Sequence, residues 1–117
     1  MAAPEGARVG VLGATGAVGA ETVALLSRSP AVAEVVALTR RARGPDGFPG
    51  AAEGRVAERV VSFGSLQPVD LAGLDAVVCC LGTTAADAGG AAQRHVIDHD
   101  YVLEAARLAR AEPRCQY

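Results

Sequence analysis

Short apolar runs alternate with helix-patterned segments, and a glycine triplet follows the first run; together they predict an α/β fold. The expected architecture is a parallel sheet with helices on both faces. It stops after about four strands, in the spatial order 3-2-1-4. Half of the 117 residues are hydrophobic, enough to build the core of one domain covering residues 1–117. With two Phe, two Tyr and no Trp, that core must be made of Val, Leu and Ala.

The elements follow in order. Arg8-Val9-Gly10-Val11-Leu12-Gly13 is an apolar run ending in glycine, the pattern of a buried parallel strand. Ala17 to Arg28 is expected to be a helix with Val18, Thr22, Leu25 and Leu26 on one face, and Ser29-Pro30 stops it. Glu34 to Thr39 is a second strand. Arg40 to Gly54 has no apolar period and packs five glycines and prolines between Gly44 and Gly50, so a mobile loop is expected. Glu58 to Phe63 is a short third strand, and Gly64 to Gly73 a turn around Pro68. Asp75 to Gly82 is the fourth strand. After a loop from Thr83 to Ala92, Arg94 to Ala111 forms a helix carrying Val96, Ile97, Tyr101, Leu103 and Leu108.

The loop Gly13-Ala14-Thr15-Gly16-Ala17-Val18-Gly19 follows a strand and opens a helix, inside a βαβ unit of the right length. That context makes it the phosphate cradle of a Rossmann-like fold. Gly13 permits the tight turn, Gly16 lets the backbone approach a pyrophosphate, and Gly19 lets the helix pack on the strand. The phosphates would face unpaired N–H groups at the positive end of the helix. NAD sites usually carry an acid at the end of the second strand to hold the ribose 2′-hydroxyl. Here the chain reads Thr39-Arg40-Arg41, with no acid until Asp46. Guanidinium groups suit a 2′-phosphate, so NADP(H) is favoured over NAD(H).

Three stretches, Gly13 to Gly19, Asp75 to Thr84 (DAVVCCLGTT) and Ile97 to Ala109 (IDHDYVLEAARLA), together resemble the HIV Tat-interactive protein 2 family. These are atypical short-chain dehydrogenase/reductase oxidoreductases that bind NADPH. The resemblance covers Arg8 to about Arg110, the N-terminal half of that family's domain. It implies that Gly13, Thr15, Gly16, Ala17 and Val18 line the pyrophosphate, with Arg40 and Arg41 at the 2′-phosphate. Leu81, Gly82 and Thr83 would run beside the ribose on the nicotinamide side. Ser62 stands where relatives usually contact adenine with an aspartate. Such proteins draw catalysis from a Tyr-x-x-x-Lys pair. This chain contains no lysine, and neither Tyr101 nor Tyr117 starts such a motif. No catalytic residue is therefore assigned, and the sequence reads as a truncated or alternatively ended product, incomplete at the C-terminus. Two other readings stay open: a non-catalytic nucleotide-sensing or protein-interaction module, as relatives linked to nuclear import and pro-apoptotic regulation suggest, and the N-terminal domain of a semialdehyde dehydrogenase.

Eleven Arg against 13 acids leave no basic excess for a nucleic-acid partner. No apolar stretch approaches the roughly 20 residues of a membrane span. Cys79, Cys80 and Cys115 are odd in number, and two are adjacent, which fits a reducing compartment rather than a disulfide framework. A cytoplasmic location, with the nucleus as a second, is expected. Cys79 and Cys80 should point to opposite faces of their strand as small core residues, while Cys115 near the chain end is the better redox candidate. His95-Val96-Ile97-Asp98-His99 places two histidines one turn apart, but no third ligand is apparent. Exposed polar residues opening the last helix, with no metal, are the expected outcome. Partners are then the dinucleotide and, through an uncovered sheet edge, a protein or a second copy of the chain.

Overall fold

The computed structural model describes residues 6–44, 47–48, 54–81, 90–111 and 115. Strand β1 (Ala7–Leu12) leads into helix α1 (Ala17–Ser27), then β2 (Val32–Thr39) and β3 (Val56–Val60). Two 3₁₀ turns, Phe63–Ser65 and Pro68–Leu71, precede β4 (Ala76–Cys79). The last helical segment comprises α2 (Ala91–His95), a π-helical turn (Val96–Tyr101) and α3 (Val102–Ala111). The four strands form one parallel sheet in the order β3-β2-β1-β4, as the alternation of elements predicts.

Both faces of the sheet are covered, which is why the strands carry continuous rather than alternating apolar sequence. On one face Leu12, Val36 and Leu38 meet Leu71, Leu74, Ala105 and Ala109. On the other, Val9, Val11, Val35 and Ala37 meet Val23 of α1. Cys79 packs against the first cluster and Cys80 against the second, so the pair does straddle the sheet.

Several expected boundaries and faces shift. The third strand runs from Val56 to Val60 rather than from Glu58 to Phe63. Its register pairs Val56 with Val35 and Val60 with Thr39. Val61 N–H donates to the Thr39 carbonyl at 2.7 Å, and among the described residues β2 offers no partner beyond Thr39, so the chain leaves the sheet. In α1 the buried face is Gly19, Val23 and Ser27, whereas Val18 and Leu25 are 70% and 60% exposed. Gly19 must seat against the β1 turn, and that contact rotates the neighbouring apolar stripe outward. The segment after β2 is not without an apolar anchor: Phe48 is buried in the second cluster, with the Arg43 guanidinium 5.6 Å above its ring. The last helix starts at Ala91, three residues earlier than its apolar spacing predicts. Cys115, the redox candidate, packs half-buried against the first cluster.

Candidate functional site

The turn after β1 is built by two glycines with different reasons. Gly13 has φ +75°, and a Cβ there would lie 2.7 Å from the Cys80 carbonyl oxygen. A Cβ on Gly19 would collide with the Gly13 carbonyl oxygen. Both contacts hold the turn down on the sheet and the helix down on the turn. Gly16 differs. It sits at the N-cap with extended backbone, and a Cβ would meet only the Gly13 oxygen, at an ordinary 3.6 Å. Among the described residues nothing requires glycine there, so the open face of Gly16 leaves room for a ligand.

Helix α1 begins without a side-chain cap and without an acid in its first turn. The first intrahelical bond is Ala20 N–H to the Gly16 carbonyl, 2.8 Å. The N–H groups of Ala17, Val18 and Gly19 thus lack intrahelical acceptors and carry the positive end of the helix dipole. An anion meets donors there without displacing a carboxylate.

A cleft of about 500 Å³ opens at the C-terminal ends of the strands. Gly13, Thr15 and Gly16 form one wall. Thr39 and Arg40 come from the end of β2, Ser62 and Phe63 from the end of β3, and Cys80 and Leu81 from the end of β4. Crevices beyond the carboxyl ends of strands, where strand order reverses, are where open α/β sheets hold ligands. Here the reversal falls between β1 and β4.

Of the site residues expected from the sequence, Gly13, Thr15, Gly16, Arg40, Ser62 and Leu81 line this cleft. Ala17 and Val18 are exposed in the first turn of α1, next to Gly16, and are not part of the cleft lining. Gly19 lies beneath, buried, and Arg41 is exposed beside Arg40. Gly82 and Thr83 lie outside the described residues. The sequence reading missed the far wall, where Gln93, Ile97 and Tyr101 face the cleft from the last helical segment. Their regular spacing of four is the signal that would have found them. Tyr101 does pack, with its ring centroid 6.3 Å from that of Phe63, but it packs within the cleft wall.

Charge at the end of β2 is divided. Neither Arg40 nor Arg41 makes an ion pair or side-chain hydrogen bond among the described residues. An acid that was not apparent from the linear order arrives from β3. The Glu58 carboxylate accepts from the Thr39 hydroxyl at 3.0 Å and from Arg43 N–H at 2.9 Å. Its lone pairs are partly occupied by these donors.

A strand–glycine-turn–helix unit, an uncapped helix start and a cleft at the strand-order reversal define an NAD(P)-binding Rossmann domain. Residues 8–112 match the semialdehyde dehydrogenase NAD-binding domain family. The chain belongs to that family. It is one of the readings that the sequence leaves open beside the Tat-interactive resemblance. The Emericella nidulans protein named "Protein fmp52, mitochondrial" is 32% identical over 108 residues, covering 89% of this chain and 46% of that protein. A Lactobacillus casei structure from a structural genomics consortium superposes with TM-score 0.64 at 29% identity, covering 90% of this chain and 44% of its own. A Bacillus halodurans protein, described as a candidate NAD-dependent epimerase/dehydratase, gives TM-score 0.70 at 26% identity over 94% of this chain and 50% of that one. The chain therefore spans about half the length of the relatives it matches.

Proposed function

We propose that this chain binds NADP(H) and supplies the cofactor-holding part of an oxidoreductase resembling the Tat-interactive group of short-chain dehydrogenase/reductases. The observation that carries the proposal is the pairing of an open Gly16 cradle with two guanidinium groups at the end of β2 that have no partner among the described residues. The N–H groups of Ala17, Val18 and Gly19 would hold the pyrophosphate, and Gly13, Thr15 and Gly16 would shape its bed. Arg40 and Arg41 would hold the 2′-phosphate. Glu58, with both a hydroxyl and an N–H already donated to it, competes weakly for the same ribose. Ser62 would face the adenine, and Leu81, with Gly82 and Thr83, the nicotinamide ribose.

When bound, the nicotinamide gives or takes a hydride. The chain's own share is to position it. Lysine is absent from all 117 residues, so the tyrosine–lysine proton relay of short-chain reductases is not carried by this sequence.

Calorimetric titration of the purified chain with NADPH and NADH tests the proposal. We expect NADPH to bind at least tenfold tighter, and the Arg40→Ala/Arg41→Ala double variant to lose that preference. Absence of binding to either nucleotide defeats the cofactor assignment. Equal affinities in the wild-type chain defeat the preference for NADP(H).

A further inference from the structure

The last helical segment carries a feature that the nucleotide cleft does not use. His95 and His99 stack with ring centroids 4.7 Å apart and planes 14° from parallel. The Asp100 carboxylate joins them: Oδ1 is 2.9 Å from His99 Nδ1 and 3.9 Å from His95 Nε2. One donor atom from each of the three residues lies within 4.8 Å of the others, and all three residues are exposed. Asp98, the acid between the histidines in sequence, is turned to Arg94 instead, at 3.1 Å.

The backbone explains this grouping. In an α-helix residues advance about 100° each, so a residue five positions on stands about 140° round from the first. Asp100 would then face away from His95. The π-helical turn over Val96–Tyr101 closes i to i+5 and returns the fifth residue above the first. The missing third ligand of the histidine pair is therefore supplied by the turn itself, which apolar spacing cannot reveal.

We propose that His95, His99 and Asp100 form a surface binding site for a divalent transition-metal ion of the zinc class. Two imidazoles and one carboxylate are borderline donors, suited to Zn²⁺ and unsuited to Mg²⁺ or Ca²⁺, which take oxygen. Zinc uses three protein ligands and leaves a fourth tetrahedral position to water, and the exposed site has room for it. Zn–N and Zn–O bonds of about 2.0–2.2 Å place tetrahedral donors about 3.3 Å apart. The 2.9 Å and 3.9 Å separations from Asp100 Oδ1 bracket that value, and every donor pair lies within 4.8 Å. The ion would replace the hydrogen bond now shared by His99 Nδ1 and Asp100 Oδ1, with both atoms turning lone pairs to the metal. It would also tie residues 95, 99 and 100 across the π turn whose other face offers Ile97 and Tyr101 to the cleft.

Zinc chloride titrated calorimetrically into the metal-stripped chain, with free thiols blocked, tests the site. The expected result is one ion per chain with a dissociation constant of micromolar order and a melting temperature that rises with zinc. His95→Ala and His99→Ala should each weaken binding at least thirtyfold, and Asp100→Asn at least fivefold. Asp98→Asn should leave it unchanged, because that acid sits off the triad. Binding that survives in a His95→Ala/His99→Ala double variant, an Asp100→Asn variant that binds as tightly as wild type, or no saturable binding below millimolar zinc would each overturn the proposal. Circular dichroism of every variant separates loss of ligand from loss of helix.

Discussion

Single residues divide the chain's arginines and glycines into two kinds. Arg8 ties β1 to its neighbours, with Nε and Nη2 on Glu34 and Nη1 on the Gly73 carbonyl. Arg55 donates to the Ser29 and Val32 carbonyls, and Arg59 to those of Asp70 and Ala72. These guanidiniums brace the frame. Arg40 and Arg41 do not, which leaves their charge for a ligand. Glycines split in the same way. At Gly13, an L-residue with positive φ costs about 1–2 kcal/mol before the clash with Cys80 is counted. We expect Gly13→Ala and Gly19→Ala to lower the melting temperature clearly. Gly16→Ala should cost less than about 1 kcal/mol of stability yet weaken NADPH at least tenfold. Thermal melts alongside nucleotide titration check this separation of roles. A Gly16→Ala chain that binds NADPH normally would remove the argument for its open face.

Among the elements, α1 shows best what sequence periodicity conveys and what it omits. Two apolar stripes, Val18–Thr22–Leu25 and Gly19–Val23–Leu26, lie side by side, and hydrophobicity alone does not choose between them. Close approach does, because only the stripe containing Gly19 can descend onto the β1 turn. Val23, with 0% exposure, should then cost about 2 kcal/mol as Val23→Ala, the loss of two buried carbons plus a small cavity. Leu25→Ala, on a largely exposed residue, should stay within about 0.5 kcal/mol. Urea denaturation of both variants measures the contrast, and equal losses would mean the helix is seated differently. The strands were legible because each is an apolar run closed by a turn signal. Their ends were less so: β3 stops where β2 offers no more partners, a fact held in another part of the chain. The π turn and the burial of Phe48 were invisible for the same reason, since both depend on contacts rather than on spacing.

At the scale of the molecule, the strand order follows from the element pattern, and the near wall of the cleft follows from the glycine turn. The far wall did not, because Gln93, Ile97 and Tyr101 gain their meaning only when the last helical segment lies across the strand ends. Among the described residues β4 pairs on one side only, with β1. An unpaired parallel edge bearing Val77 and Val78 is a template for association. We expect the 117-residue chain to elute in size-exclusion chromatography as a concentration-dependent mixture larger than a monomer. Val78→Lys, charging a partly exposed edge position, should shift that mixture toward the monomer. A monodisperse wild-type monomer across the micromolar range would show that the edge is harmless.

The order β3-β2-β1-β4 also has a consequence in time. β1 is made first and sits at the centre, but its partner on one side comes from the far half of the chain. The Arg8 N–H to Asp75 carboxylate bond, at the start of that pairing, links residues 67 apart. At ribosomal rates of about 5–20 residues per second, β1 waits about 3–13 s for that neighbour to be synthesised. During that interval, the edge later covered by β4 is open to whatever else is nearby. Survival of the nascent chain therefore depends on what shields β1 in those seconds, before the cleft exists and before any nucleotide can contribute stability.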